Sequence, residues 1–203
     1  HNARKLDAAG QVDDFWMLVD GDTIARTGSG PAEAATVWRE TTERVDVAGH
    51  WLVPGFIDLH THGGGGRSFD DGPEAIAIAL AAHRAHGTTR SLLSLVANPV
   101  AQLCETLGII ADLAASDPLV LGSHLEGPFL NPAKRGVHDA GHMRAPDAAD
   151  LALLTAAGDG VTLLTLAPEQ VPPGFIARLG AAGVRVAAGH SDAEIEDYLT
   201  ARY

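Results

Sequence analysis

The sequence predicts an α/β protein built on a parallel sheet, and three observations carry that reading. From Gly55 onward, short apolar runs beginning at residues 55, 88, 119, 161 and 184 alternate with Ala/Leu-rich segments of helical texture. The runs are nearly continuous in apolar residues, as in strands covered on both faces. Their spacing leaves room for a crossover helix after each one.

Taken in chain order, "FWMLVDGDTIART" (15–27) places two β-prone runs around Asp20-Gly21, a dipeptide suited to a tight hairpin turn. "RVDVAGHWLVPG" repeats the pattern around Gly49, with Val45, Val47, Trp51 and Val53 as its apolar positions. Residues 1–53 therefore read as a small β unit with a thin core, and 54–203 as the α/β part. The strands expected in the second part are "GFIDLH", "TTRSLLSL", "LVLGSHLE", "VTLLTLAP" and "VRVAAGH".

Helix signals fill the gaps. Pro73 after Asp70-Asp71 opens a helix that Gly87 closes, and Asn98-Pro99 offers a cap followed by a first-turn proline. Ser191 with Glu194 matches a capping box for the last helix. Two architectures fit regular βα repetition: an open doubly wound sheet or a (β/α)₈ barrel. No G-x-G-x-x-G follows a strand at the right offset, which removes the usual mark of a dinucleotide-binding sheet.

Composition narrows the function classes. The chain carries 14 Lys and Arg against 26 Asp and Glu, a net charge of −12 that repels a phosphate backbone and argues against nucleic acid. Apolar runs fall far short of the ~20 residues of a membrane helix, so no membrane span is expected. Cys104 is the single cysteine, which excludes an intrachain disulfide and fits a reducing cytoplasm. The first residues, "HNARKLDAAG", lack an apolar signal core and an initiator Met, so the start is expected to be trimmed.

In both architectures the working residues stand at strand C-terminal ends. "PGFIDLHTHGGGG" ends its strand in His60 and His62, which alternation sends to one face, and the glycines leave that end uncrowded. The strand from 119 ends in His124-Leu125-Glu126, and the strand from 184 in His190. Imidazole nitrogen and carboxylate oxygen are what Zn²⁺ or a similar divalent ion binds. His124 shares a face with Glu126 and is open to either ligation or a buried hydrogen-bonding role. His83 and His86 read as surface residues late in a helix, and His1 and His50 as structural. After Glu126 comes a 20-residue connection, "GPFLNPAKRGVHDAGHMRAP", long enough to be functional and carrying Lys134, Arg135, His138 and His142.

"PGFIDLHTHGGGG", "HLEGPFLNPAKRGVH", "LAPE" and "AAGHS" resemble, in this order, the signature segments of N-acetylglucosamine-6-phosphate deacetylases of the metal-dependent amidohydrolase superfamily. The H-x-H belongs to the superfamily at large, and "HLEGPF" followed by "KRGVH" to the deacetylases. The resemblance implies a (β/α)₈ barrel, with about five βα units in this chain, and a small β-sandwich completed by a further C-terminal segment. It implies Glu126 and His190 as ligands of a principal metal, His60 and His62 as ligands of a second, and Val137 (backbone) and His138 (ring) as contacts to the sugar phosphate.

The implied cofactor is a divalent metal, Zn²⁺ first and Fe²⁺ or another ion second, one or two per subunit. The implied reaction is hydrolysis of the acetamido group of N-acetylglucosamine 6-phosphate to acetate and glucosamine 6-phosphate, by a cytoplasmic homodimer acting on this small molecule. The family's general-base Asp, sixth-strand His and phosphate-binding segment would lie beyond Tyr203, so the chain is expected to be part of a longer protein. The competing readings are a dihydroorotase-like or D-aminoacylase-like amidohydrolase, which would share His60 and His62, and a non-catalytic metal-binding fragment.

Overall fold

The computed structural model describes residues 1–31, 43–156 and 161–201 and divides the chain into two compact units, His1–Gly55 and Phe56–Tyr203. In the first unit, β1 (Ala3–Asp7), β2 (Gly10–Asp20), β3 (Thr23–Ser29) and β4 (Trp51–Leu52) form a sheet in the order β3-β2-β1-β4. The β2–β3 hairpin turns at Gly21-Asp22, between the paired Asp20 and Thr23. Its thin core rests on Phe15 and Trp16, and the Trp16 indole fills the space that a Cβ on Gly28 would need.

The second hairpin expected around Gly49 does not form. Val47 and Gly49 donate their N–H groups to the carbonyls of His1 and Asn2, and β4 then pairs parallel to β1. The backbone bonds that a hairpin would use are thus spent on the chain's first residues.

The second unit holds five parallel strands, β5 (Phe56–Thr61), β8 (Thr88–Leu95), β9 (Val120–Glu126), β10 (Val161–Leu166) and β11 (Arg185–Ala188). A two-residue ribbon, β6 (Gly63–Gly64) with β7 (Arg67–Ser68), follows β5. Sheet order is β11-β10-β9-β8-β5, so every strand pairs with its predecessor in the series. A doubly wound sheet reverses its order at a switch point, whereas right-handed crossovers without reversal curl the sheet into a barrel wall. The architecture is α/β, half of a (β/α)₈ barrel.

The crossovers carry α1 (Pro73–Arg84), α2 (Val100–Ser116), α3 (Ala148–Ala156) and α4 (Phe175–Ala181), and α5 (Ile195–Ala201) follows β11. Helical spacing brings Ile76, Ala79 and Leu80 of α1 and Leu103, Leu107 and Ile110 of α2 onto one face each, against Leu93, Leu95, Leu125, Leu164 and Leu166 of the strands. Alternation sends the intervening Ser94, His124, Glu126 and Thr165 to the opposite face. One strand face is therefore a core and the other a polar lining.

Two caps differ from expectation. Asn98 donates to the Asp70 carboxylate instead of capping α2, whose N-cap position is held by Pro99 without a side-chain cap. Ser191 donates to Glu169, and α5 starts four residues later. In both cases the side chain donates to a carboxylate distant in sequence, and Ser191 Oγ accepts the Ala193 N–H (3.0 Å) in a local turn ahead of the helix.

Replacing Leu164, which is fully buried in this core, by Ala should cost about 2–5 kcal/mol in urea unfolding. Leu121→Ala on the same sheet, at a side chain 39% exposed, should cost well under half as much. Equal losses would contradict the placement of the core.

Candidate metal centre

Three strand ends and one long connection converge at the C-terminal edge of the five-stranded sheet. β5 delivers His60 at its end and His62 just past it. The turn that follows must be glycine at Gly63: its φ is +144°, and a Cβ there would lie 2.0 Å from the Arg67 carbonyl oxygen. Ser94 Oγ accepts the Thr61 N–H (3.1 Å), and Phe69 N–H donates to the His62 carbonyl (3.1 Å), pinning the H-x-H backbone from two sides. His83, expected at the surface, is half-buried and donates from Nε2 to the Gly63 carbonyl (2.9 Å). The backbone of the glycine turn folds back onto α1, which the helical spacing of His83 alone does not reveal.

β9 delivers Glu126, 6% exposed. Its Oε2 lies 2.7 Å from His62 Nε2, 3.3 Å from His60 Nε2 and 3.2 Å from His138 Nε2, and its Oε1 lies 3.0 Å from His190 Nε2. His60 and His62 bring their Nε2 atoms within 3.2 Å of each other. Burial would raise the Glu126 carboxyl, but the His62 hydrogen bond and the neighbouring His60, His62 and His138 charges outweigh it and hold the group far below the carboxylate range.

This donor set fits a divalent ion. Bonds of about 2.0–2.1 Å in a tetrahedron place ligand atoms about 3.3 Å apart. The three distances among His60 Nε2, His62 Nε2 and Glu126 Oε2 run from 2.7 to 3.3 Å. A second group with all ligand atoms within 4.8 Å joins Glu126, His138 and His190.

Ring partners distinguish the two histidines of that second group. His190 Nδ1 lies 2.7 Å from the Lys134 carbonyl, which can only accept, so the proton sits on Nδ1 and a neutral ring turns the Nε2 lone pair to the site. His138 Nδ1 instead accepts the Ala97 N–H (3.1 Å), so a neutral ring carries its proton on Nε2 and donates to Glu126. The His190 ring thus offers the site an acceptor nitrogen and the His138 ring a donor N–H. His62 Nδ1 is buried with no hydrogen-bond partner among the described residues, so Nε2 is its only polar anchor.

His124 resolves differently from the others. Its Nδ1 lies 2.8 Å from Ser94 Oγ and its Nε2 2.7 Å from Thr165 Oγ1, so both nitrogens are used and the ring is a buried hydrogen-bonding link. Its edge packs on the His60 ring, with centroids 4.6 Å apart. Ser94 and Thr165 escaped sequence reading, although their alternation with core leucines marks them as inward-facing. Val137 is 93% exposed, while the adjacent His138 is buried. The structure thus brings together His60, His62, Glu126, His138 and His190 and leaves Val137 at the surface. His142 Nδ1 donates to the Ala97 carbonyl (3.2 Å), and Lys134 pairs with Asp192 (2.8 Å).

Burial, reinforced by the nearby His60 charge, pushes the His124 imidazole from its usual 6.5 down to about 4. The unfolded chain then binds the extra proton between pH 6.5 and about 4, so this site favours folding above that window and loses its contribution as the pH falls through it. The His124 ring should show no protonation by NMR from pH 8 to 5. A midpoint near 6.5 would contradict its burial.

Residues 51–200 match the amidohydrolase family. The N-acetylgalactosamine-6-phosphate deacetylase of Shewanella sp. (strain ANA-3) is 38% identical over 207 residues, covering 93% of this chain and 52% of that protein. The N-acetylglucosamine-6-phosphate deacetylase of Bos taurus is 38% identical over 168 residues, 77% of this chain and 41% of that one. Among solved structures, N-acetylglucosamine-6-phosphate deacetylase from Pasteurella multocida superposes with a TM-score of 0.89 at 28% identity, over 98% of this chain and 52% of its own. The chain spans about half the length of the curated relatives it matches. Because the family match takes in the β5 end with His60 and His62, the Glu126 strand and the His190 turn alike, the chain belongs to the amidohydrolase family.

Proposed function

We propose that this chain provides the metal-binding half of a deacetylase that hydrolyses the acetamido group of an N-acetylated amino-sugar 6-phosphate, N-acetylglucosamine 6-phosphate first, to acetate and the free amino sugar phosphate. The observation that carries this reading is the Glu126 carboxylate, within 3.3 Å of four imidazole Nε2 atoms at the C-terminal edge of a parallel half-barrel. Relatives named as deacetylases of both N-acetylglucosamine and N-acetylgalactosamine 6-phosphate support the substrate class.

Glu126 and His190 would hold the principal divalent ion and His60 and His62 a second, with Zn²⁺ the ion expected from this nitrogen and oxygen set. Such an ion supplies a hydroxide-like nucleophile near neutral pH and withdraws electrons from the acetyl carbonyl. Glu126, whose carboxyl is held low by its imidazole partners, contributes a negative charge, and the Lys134 carbonyl keeps His190 in the tautomer that binds metal. His138 contributes an N–H from a water-excluded position, and Val137 an exposed backbone beside it. We place the protein in the cytoplasm, on its single cysteine, and infer a homodimer from the resemblance alone. Among the described residues no helix is long and apolar enough to cross a membrane.

In the full-length protein, Glu126→Gln and His190→Ala should each remove most bound zinc and most acetate release. His60→Ala and His62→Ala should lower total metal while sparing part of the turnover. Metal analysis showing wild-type occupancy in Glu126→Gln and His190→Ala would overturn the assignment.

His138→Ala should lower kcat/KM for N-acetylglucosamine 6-phosphate by about 10–100-fold, the loss expected for one hydrogen bond to a charged partner. Far-UV circular dichroism should be unchanged. Kinetics identical to wild type would remove His138 from the site.

A further inference from the structure

His190 follows β11 with a φ of +50°, in the left-handed region that residues with a Cβ seldom occupy. Such a backbone persists only where its surroundings over-determine it. Two contacts do so directly. Asn131 N–H donates to the His190 carbonyl (3.0 Å), and His190 Nδ1–H donates to the Lys134 carbonyl (2.7 Å). Both partners lie in the turn Asn131–Lys134, so the direction of the imidazole depends on how that turn is held against the residues after His190.

We propose that Glu169, the acid of the "LAPE" segment, is the positioning residue that holds them together. Glu169 stands in the turn Pro168–Gln170, immediately after β10. Its Oε1 accepts from Asn131 Nδ2 (2.9 Å) and from the Asp192 N–H (2.8 Å), and its Oε2 accepts from the Ser191 hydroxyl (2.7 Å). One carboxylate thus ties the start of the 131–134 turn to the two residues that follow His190. The Lys134–Asp192 ion pair spans the same gap, but both side chains are about half-exposed or more, and water screens the pair. Glu169 reaches the metal position only through His190. The proposal rests on the reading of His190 as a metal ligand.

The test is Zn²⁺ affinity and stoichiometry in the full-length protein, measured by competition with a chromophoric chelator, with circular dichroism as a check on folding. Glu169→Ala should weaken zinc binding by about 10–100-fold, the usual cost of losing a group that orients a ligand. Glu169→Gln keeps an acceptor oxygen for Asn131 and Asp192 and should recover most of that loss. Wild-type affinity in Glu169→Ala, or equal losses in the Ala and Gln variants, would overturn the proposal. His190→Ala is the separating arm. If it binds zinc as wild type does, the ligand reading itself fails; if it loses zinc while Glu169→Ala does not, only the clamp fails. Should Glu169→Ala not fold, Ser191→Ala removes one of the three bonds and should give a smaller loss, and unchanged affinity there would overturn the clamp.

Discussion

The second unit is organised around one buried negative charge. Taking an ionised carboxylate out of water costs several kcal/mol unless partners replace the lost hydration. Glu126, at the end of the central strand, is met by imidazoles from three other places: the end of β5, the long connection, whose His138 donates its Nε2–H, and the turn after β11, whose His190 faces it with a lone pair that a shared cation would reconcile with the carboxylate. Two of these segments, the long connection and the turn after β11, are irregular backbone. The charge gives them a common target.

The sheet makes that convergence possible by dividing its two faces between different tasks. Leucines at alternate positions seal one face against α1 to α4, and the positions between them are free to be polar. On that inner face, Ser94, His124 and Thr165 form a hydroxyl-imidazole-hydroxyl chain across three adjacent strands. It lies beneath His60 and ties β8, β9 and β10 together next to the site. A ring with both nitrogens satisfied is a poor ligand and a good spacer. The chemistry of a histidine here follows from what its second nitrogen meets.

All five parallel strands were legible because each is written as a short, nearly continuous apolar run, including β5, whose Phe56, Ile57 and Leu59 are more than half exposed. The metal-type residues were legible for a related reason: His60, His62, Glu126 and His190 stand just where those runs end. Helix starts were less so. Asn98 and Ser191 have the right chemistry for caps, but both are oriented by carboxylates distant in sequence, Asp70 and Glu169, and the Ala193 N–H that Ser191 accepts lies ahead of α5. β4 misled in the same way, since its parallel pairing with β1 depends on bonds to His1 and Asn2 rather than on its own pattern.

What the sequence by itself determined is where the strands fall along the chain, the period of the buried positions and the kinds of polar atom at the strand ends. These are local properties, set by which residues follow one another within a few positions. Only the tertiary structure decided which histidine presents a lone pair, which presents an N–H and which is a spacer. The partners that make those choices lie far away in sequence: Lys134 is 56 residues from His190, Ala97 is 41 from His138, and Thr165 is 41 from His124. An imidazole has the same two nitrogens everywhere, and its tautomer is set by whichever donor or acceptor the fold places against each one.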